Sequence, residues 1–172
     1  MKPILNFLAL FSLVLSLISC GTTGGPPGIG KKAANFRLNT LEHERFYLNQ
    51  HKGKVVVLVF WTTWCRACKT EMKVLQDFTA LPVWRDVTVA AVCTDPENLS
   101  DAKSIVENLK ISYPVLLDPG ARLFHKFQLT AYPTTLIFDR QQRLSFLRVG
   151  YDQFVMNQVK SKVLSLVRSD SP

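Results

Sequence analysis

The sequence predicts an α/β fold: one β-sheet covered by helices on both faces, preceded by an N-terminal β-hairpin. Three observations carry this. The run Val55-Val56-Val57-Leu58-Val59-Phe60 is continuously apolar, as a central strand buried on both faces requires. Downstream, runs of this kind alternate with segments of helical period. Their order, βαβα followed by ββα, is that of a single sheet with helices packed above and below it. A chain of 172 residues leaves room for one domain with a tail. Apolar residues make up 47% of it, which supplies a core and excludes a disordered chain.

Residues 1–19 come first, as an address. Lys2 precedes an apolar run over 4–18, broken only by Asn6, Ser12 and Ser16. A basic start, a short apolar stretch and then small residues make a secretory signal. Fifteen helical residues rise roughly 22 Å, short of the ~30 Å hydrocarbon core, so a lasting span is disfavoured. The run ends Leu17-Ile18-Ser19-Cys20-Gly21, which resembles a bacterial lipobox. There the cysteine would carry acyl chains and become the first mature residue, and two or more chains anchor stably. An ordinary signal peptide with an incidental cysteine is the alternative. Residues 20–34, rich in Gly, Pro and Thr, read as a flexible tether without a core.

The domain proper is expected over 35–168, with 169–172 as a tail. Phe36 and Leu38 alternate, and Phe46-Tyr47-Leu48 follows a polar turn at 42–44, so the pair forms a hairpin. Residues 55–60 form the central strand. Residues 65–78 form a helix with Met72, Leu75 and Phe78 on one face. A second buried strand covers 87–93. Ser100 is placed to cap a helix running to about 109, with Ile105, Val106 and Leu109 inward. A short strand at 115–117 and a short helix at 120–127 follow. Residues 134–138 and 144–149 pair across the polar turn 139–142. A closing helix over 154–167 turns Val155, Val159, Val163, Leu166 and Val167 to the core.

The net charge is +8. Such a surplus suits nucleic acid, but an exported chain does not meet it, so the charge serves solubility or an anionic partner. The four cysteines are too few for a disulfide-dense scaffold. Trp64-Cys65-Arg66-Ala67-Cys68 sits where a strand gives way to a helix. Two intervening residues put both sulfurs on the first helical turn. Cys65, at the helix start, faces free backbone N–H groups and the positive end of the dipole, which favour thiolate. Arg66 adds positive charge beside it. Cys68, one turn in, is expected to be the shielded, resolving thiol. A zinc site needs four ligands, and neither a second CxxC nor clustered histidines exist, so no metal is expected. Cys93 reads as a buried, small apolar residue.

The segment VVVLVFWTTWCRACKTEM resembles the active-site segment of thioredoxin-fold proteins. More closely, it resembles membrane-tethered, extracytoplasmic thiol-disulfide oxidoreductases of the TlpA/ResA type. The likeness extends over about 35–168, and includes KGKVVVLVFW, Glu71 three residues after Cys68, and Tyr132-Pro133-Thr134. It implies a thioredoxin-like three-layer α/β/α sandwich with an N-terminal β-hairpin extension, and redox catalysis without a cofactor. Pro133 matches the cis-proline of that fold, and Tyr132 would offer its backbone to substrate. Trp64 would flank the site as docking surface, and Trp61 would pack. Glu71 is expected to take the proton of Cys68 during exchange. Val59 stands where classical thioredoxins carry a buried aspartate. The family's pattern departs at Lys73, where proline is common, and at Arg66-Ala67.

The resemblance implies a lipid-anchored envelope protein that reduces disulfides of exported proteins such as apocytochrome c. Its partners would be those cysteine-containing proteins, a membrane electron donor for the dithiol, and the lipid holding Cys20. Three alternatives stay open. A thiol oxidase would run the exchange in reverse. A peroxidase would use the Thr62-Thr63-Trp64-Cys65 pattern, although Leu58 replaces its upstream proline. A copper-binding module would need a matched histidine.

Overall fold

The computed structural model describes residues 28–169. The signal segment, Cys20, the first part of the tether and residues 170–172 lie outside them. The elements are β1 (Arg37–Thr40), β2 (Arg45–Tyr47), β3 (Val55–Trp61), α1 (Arg66–Thr79), β4 (Val87–Cys93), α2 (Leu99–Asn108), β5 (Val115–Leu117), α3 (Arg122–Lys126), β6 (Thr134–Phe138), β7 (Leu144–Val149) and α4 (Gln153–Arg168).

The strands form one sheet in the order β2-β1-β5-β4-β3-β6-β7. β3, β4 and β5 run parallel, and β6, β7, β1 and β2 pair antiparallel to their neighbours. Every residue of the central β3 is buried. Val55, Val57, Val59 and Trp61 enter one core; Val56, Leu58 and Phe60 enter the other. Each such side chain contributes roughly 1.5–3 kcal/mol relative to exposure, before chain entropy is subtracted.

The two faces are covered unequally. The first core is closed by α1 through Met72 and Leu75, by α2 through Ala102, and by α4 through Met156, Val159 and Val163. The second is closed by the short α3, through Leu123 and Phe124, with Phe36, Phe46 and Leu48 from the hairpin side. The hairpin thus extends the sheet beyond β5 and also roofs its other face.

Three boundaries differ from the sequence reading, each for a local reason. Ser100 caps nothing: α2 starts at Leu99, out of a 3-10 turn over Pro96–Asn98, and its Asn98 cap makes no side-chain bond. The helix expected over 120–127 begins as a 3-10 turn, Pro119–Ala121, with Gly120 at φ 67°. It becomes α-helical where the buried Asp118 carboxylate accepts the N–H groups of Leu123 and Phe124. Finally, residues 30–33 are not free tether. Gly30 N–H donates to Leu144 O at 2.7 Å and Ala33 N–H to Gln142 O at 2.9 Å. Lys32 bridges Arg143, and Ala33 is buried. A small side chain in Gly-Lys-Lys-Ala lets the backbone lie against the start of β7, so the structured chain begins before Asn35.

Candidate active site

The carboxyl ends of β3 and β4 and the start of β6 meet at one end of the sheet. Thr134 pairs with Phe60, so Pro133 stands level with Trp61, the residue from which the Cys65 loop departs. Trp61 in turn pairs with Cys93. The Tyr132–Pro133 peptide is cis.

Cys65 is the N-cap of α1, with φ −78° and ψ 103°, and its Sγ accepts the N–H of Cys68 at 3.1 Å. A sulfur in that position lies at the positive end of the helix, where negative charge is stabilised. Cys65 and Cys68 form a disulfide with Cα atoms 5.3 Å apart. Cys65 retains 6% exposure and Cys68 none. Arg66 and Ala67 between them are exposed, and α1 runs unbroken past Lys73 to Thr79.

Glu71, one turn beyond Cys68, is fully buried. Its Oε1 accepts the hydroxyl of Thr135, two residues after Pro133, which ties the cis-proline strand to the CxxC helix. Its Oε2 has no hydrogen-bond partner among the described residues. Burial pushes its pKa up to about 7, against a smaller lowering by the Thr135 bond. The group therefore gains or loses a proton near neutrality, in a place enclosed with a reactive sulfur.

Trp64 is 71% exposed, and its ring meets the edge of Tyr132 at 6.0 Å. Tyr132 stacks on Phe124 at 4.5 Å, and its hydroxyl accepts that of Thr94 at 2.8 Å. An outward tryptophan held beside the sulfurs by a braced tyrosine leaves an apolar surface at the dithiol. Trp61 is buried in the core.

The sequence reading passed over Asp95. Its buried carboxylate accepts the N–H of Thr63 at 2.9 Å and the Thr63 hydroxyl at 2.6 Å. It thereby holds the turn that presents Trp64 and Cys65. The Cys93 thiol lies 3.4 Å from the same carboxylate. Burial pushes that thiol up to about 12; a backbone hydrogen bond at Asp95 opposes this, and the Asp95 and Glu97 charges add to it. An aspartate two residues past a buried strand was the signal for Asp95; its partner, 32 residues away, was not visible locally. Thr135 was missed for the same reason. Cys20 lies outside the described residues. Among those residues no group of His, Cys, Asp and Glu could hold a metal, and no helix is long and apolar enough to cross a membrane.

Residues 29–146 match the model of the AhpC/TSA family. A thiol-disulfide oxidoreductase ResA of Bacillus cereus is 29% identical over 147 residues, covering 78% of this chain and 84% of that protein. The thioredoxin-like protein YneN of Bacillus subtilis (strain 168) is 30% identical over 122 residues, covering 70% of this chain and 71% of that protein. A crystal structure of a provisionally named thiol:disulfide interchange protein DsbE from Chlorobium tepidum superposes with a TM-score of 0.75 at 23% identity. It covers 81% of this chain and 97% of that one, and at this identity it speaks to the fold.

Proposed function

The chain belongs to the AhpC/TSA family and is a ResA-like thiol-disulfide oxidoreductase of thioredoxin-like fold; from that premise we propose that it reduces disulfides of exported proteins from a lipid-anchored position in the cell envelope. One observation carries the direction of electron flow: a buried carboxyl group, Glu71, one helical turn from the buried Cys68. A carboxylate there opposes thiolate formation. A dithiol whose reduced form is not stabilised as thiolate gives its electrons away more readily.

In the proposed cycle the Cys65 thiolate attacks one sulfur of a substrate disulfide. A Cys65–substrate disulfide forms, and the other substrate sulfur leaves as thiolate. Cys68 then passes its proton to Glu71 and attacks Cys65 Sγ. The products are the Cys65–Cys68 disulfide and the second substrate thiol, so two electrons have moved to substrate. Neighbouring water or thiolate collects the proton from Glu71. A dithiol donor at the membrane restores the reduced pair by the reverse exchange. Trp64 and the Tyr132 backbone flank the attacked disulfide. Apocytochrome c, with paired cysteines that must be reduced, is the substrate class the ResA likeness favours, and Cys20 is the anchor.

Trapping tests the reading. Cys68→Ser should leave exported proteins covalently held on Cys65, released by dithiothreitol, and Cys65→Ser should hold none. If Cys68→Ser captures nothing and the wild-type protein reduces no protein disulfide, the reading fails.

A further inference from the structure

Three chain segments converge at the end of the sheet opposite the dithiol. Residues 30–33 lie against the start of β7. The β6–β7 turn, residues 139–143, receives them. The loop before β3 joins the same turn: Gly53 N–H donates to Arg140 O at 2.9 Å, and the Arg140 guanidinium donates back to Gly53 O at 2.7 Å. The Arg143 guanidinium donates to Gly30 O at 3.3 Å. These bonds gather Lys31, Lys32, Lys52, Lys54 and Arg143 into one exposed group.

None of these five is in an ion pair among the described residues; the pair seen there is Lys73 with Asp77, in α1. The acids beside this group are few; Glu42 and Glu44, exposed in the β1–β2 turn, lie at the same end of the sheet but across β4 and β5 from β3. Asp139 accepts the N–H groups of Gln141 and Arg143 within its own turn. Asp86 closes the 3-10 turn before β4. Ile29, 65% exposed, stands beside the lysines as an apolar side chain facing solvent. Basic residues around a projecting apolar one suit an anionic lipid interface, where each cation near the surface adds attraction that salt screens.

The chain's course favours lipid over an acidic protein. Ten residue steps separate Gly30 from Cys20, a reach of at most about 35 Å, and the apolar run over 4–18 lies just before that. We propose that the basic end of the domain lies on an anionic bilayer and that Cys65, beyond the length of β3, faces away from it. The seven residues of β3 alone set the two ends about 20 Å apart. The dithiol is thereby turned toward soluble exported chains while the domain stays docked at the surface. This rests on the anchored reading above, and its test separates the two.

The full-length protein, purified from membranes, is placed on phosphatidylcholine vesicles with or without phosphatidylglycerol. Lysine acetylation is then followed residue by residue by mass spectrometry. On the anionic vesicles Lys31, Lys32, Lys52 and Lys54 should be acetylated about tenfold more slowly than on the neutral ones, and high salt should abolish the difference. Lys69, in the helical turn after Cys68, should react equally on both. The double variant Lys52→Glu/Lys54→Glu should lose most of the protection of Lys31 and Lys32 while reducing a small disulfide at the wild-type rate. Equal acetylation on both vesicles, or protection of Lys69, overturns the proposal. So does protection by a soluble acidic polypeptide that equals that by anionic vesicles. The mass of the peptide bearing Cys20 decides the anchor separately: an unacylated cysteine refutes the anchor, and the footprint still decides the basic surface.

Discussion

A carboxyl group enclosed in a protein interior keeps its proton to higher pH, because ionisation there forfeits hydration. Glu71 ionises near 4.5 in the unfolded chain and at about 7 in the folded one. Between those values the folded chain holds a proton that the unfolded chain releases. Stability from this group is therefore full below the lower value, falls as pH rises through the window, and is level above the upper value. Glu71→Gln should remove that slope and leave the oxidised protein on the order of 3 kcal/mol more stable at about pH 8. Urea midpoints at about pH 5 and about pH 8 check this; a variant whose midpoint falls with pH as steeply as the wild type would remove the burial argument. The position of Glu71 relative to Cys68 was legible from spacing along one helix. Its complete enclosure was not, because the Thr135 bond is made across 64 residues of sequence.

Among the elements, the loop into α1 shows which local bonds matter most. Asp95 holds Thr63 from a buried position, whereas the α4 cap, Asp152, accepts the Val155 N–H at 2.7 Å in an exposed one. Removing a buried acceptor strands a donor away from water, at about 1–3 kcal/mol. Removing an exposed cap typically costs about 1 kcal/mol. Asp95→Ala should therefore destabilise more than Asp152→Ala in chemical denaturation. It should also slow disulfide exchange, which Asp152→Ala should leave unchanged; equal effects on both readouts would contradict a positioning role for Asp95. The helices and strands were legible because hydrophobic period reflects which face is buried. Their ends were less so. Asp152 and Asp118 cap helices from just outside the apolar pattern, and Ser100, a good cap by residue type, lies inside the helix that a proline turn had already begun.

At the scale of the molecule, the continuous apolar run of β3 announced a strand covered on both faces, and the sheet is built around it. The unequal covering was not legible: Phe36, Phe46 and Leu48 look like ordinary hairpin residues, and they share the second core with Ala33, whose backbone bonds to the turn before β7. The docking of residues 30–33 gathers basic residues at the end opposite the dithiol, and on the proposed lipid contact one short sequence, GKKA, would set how the dithiol is presented. The CxxC motif was readable from its spacing, which the chemistry fixes, whereas Tyr132 and Pro133 were legible only through the family resemblance. The direction of electron flow was not, because Arg66 and Glu71 act on the sulfurs in opposite senses. The reductant proposed above rests on the burial of Glu71 against the exposure of Arg66, since charge acts more strongly where water is excluded. Equilibrating the Cys65–Cys68 pair with thiol buffers measures the outcome directly. The account predicts a potential in the range of thioredoxin, about −270 mV; a value near that of a strong oxidant, about −120 mV, would contradict it.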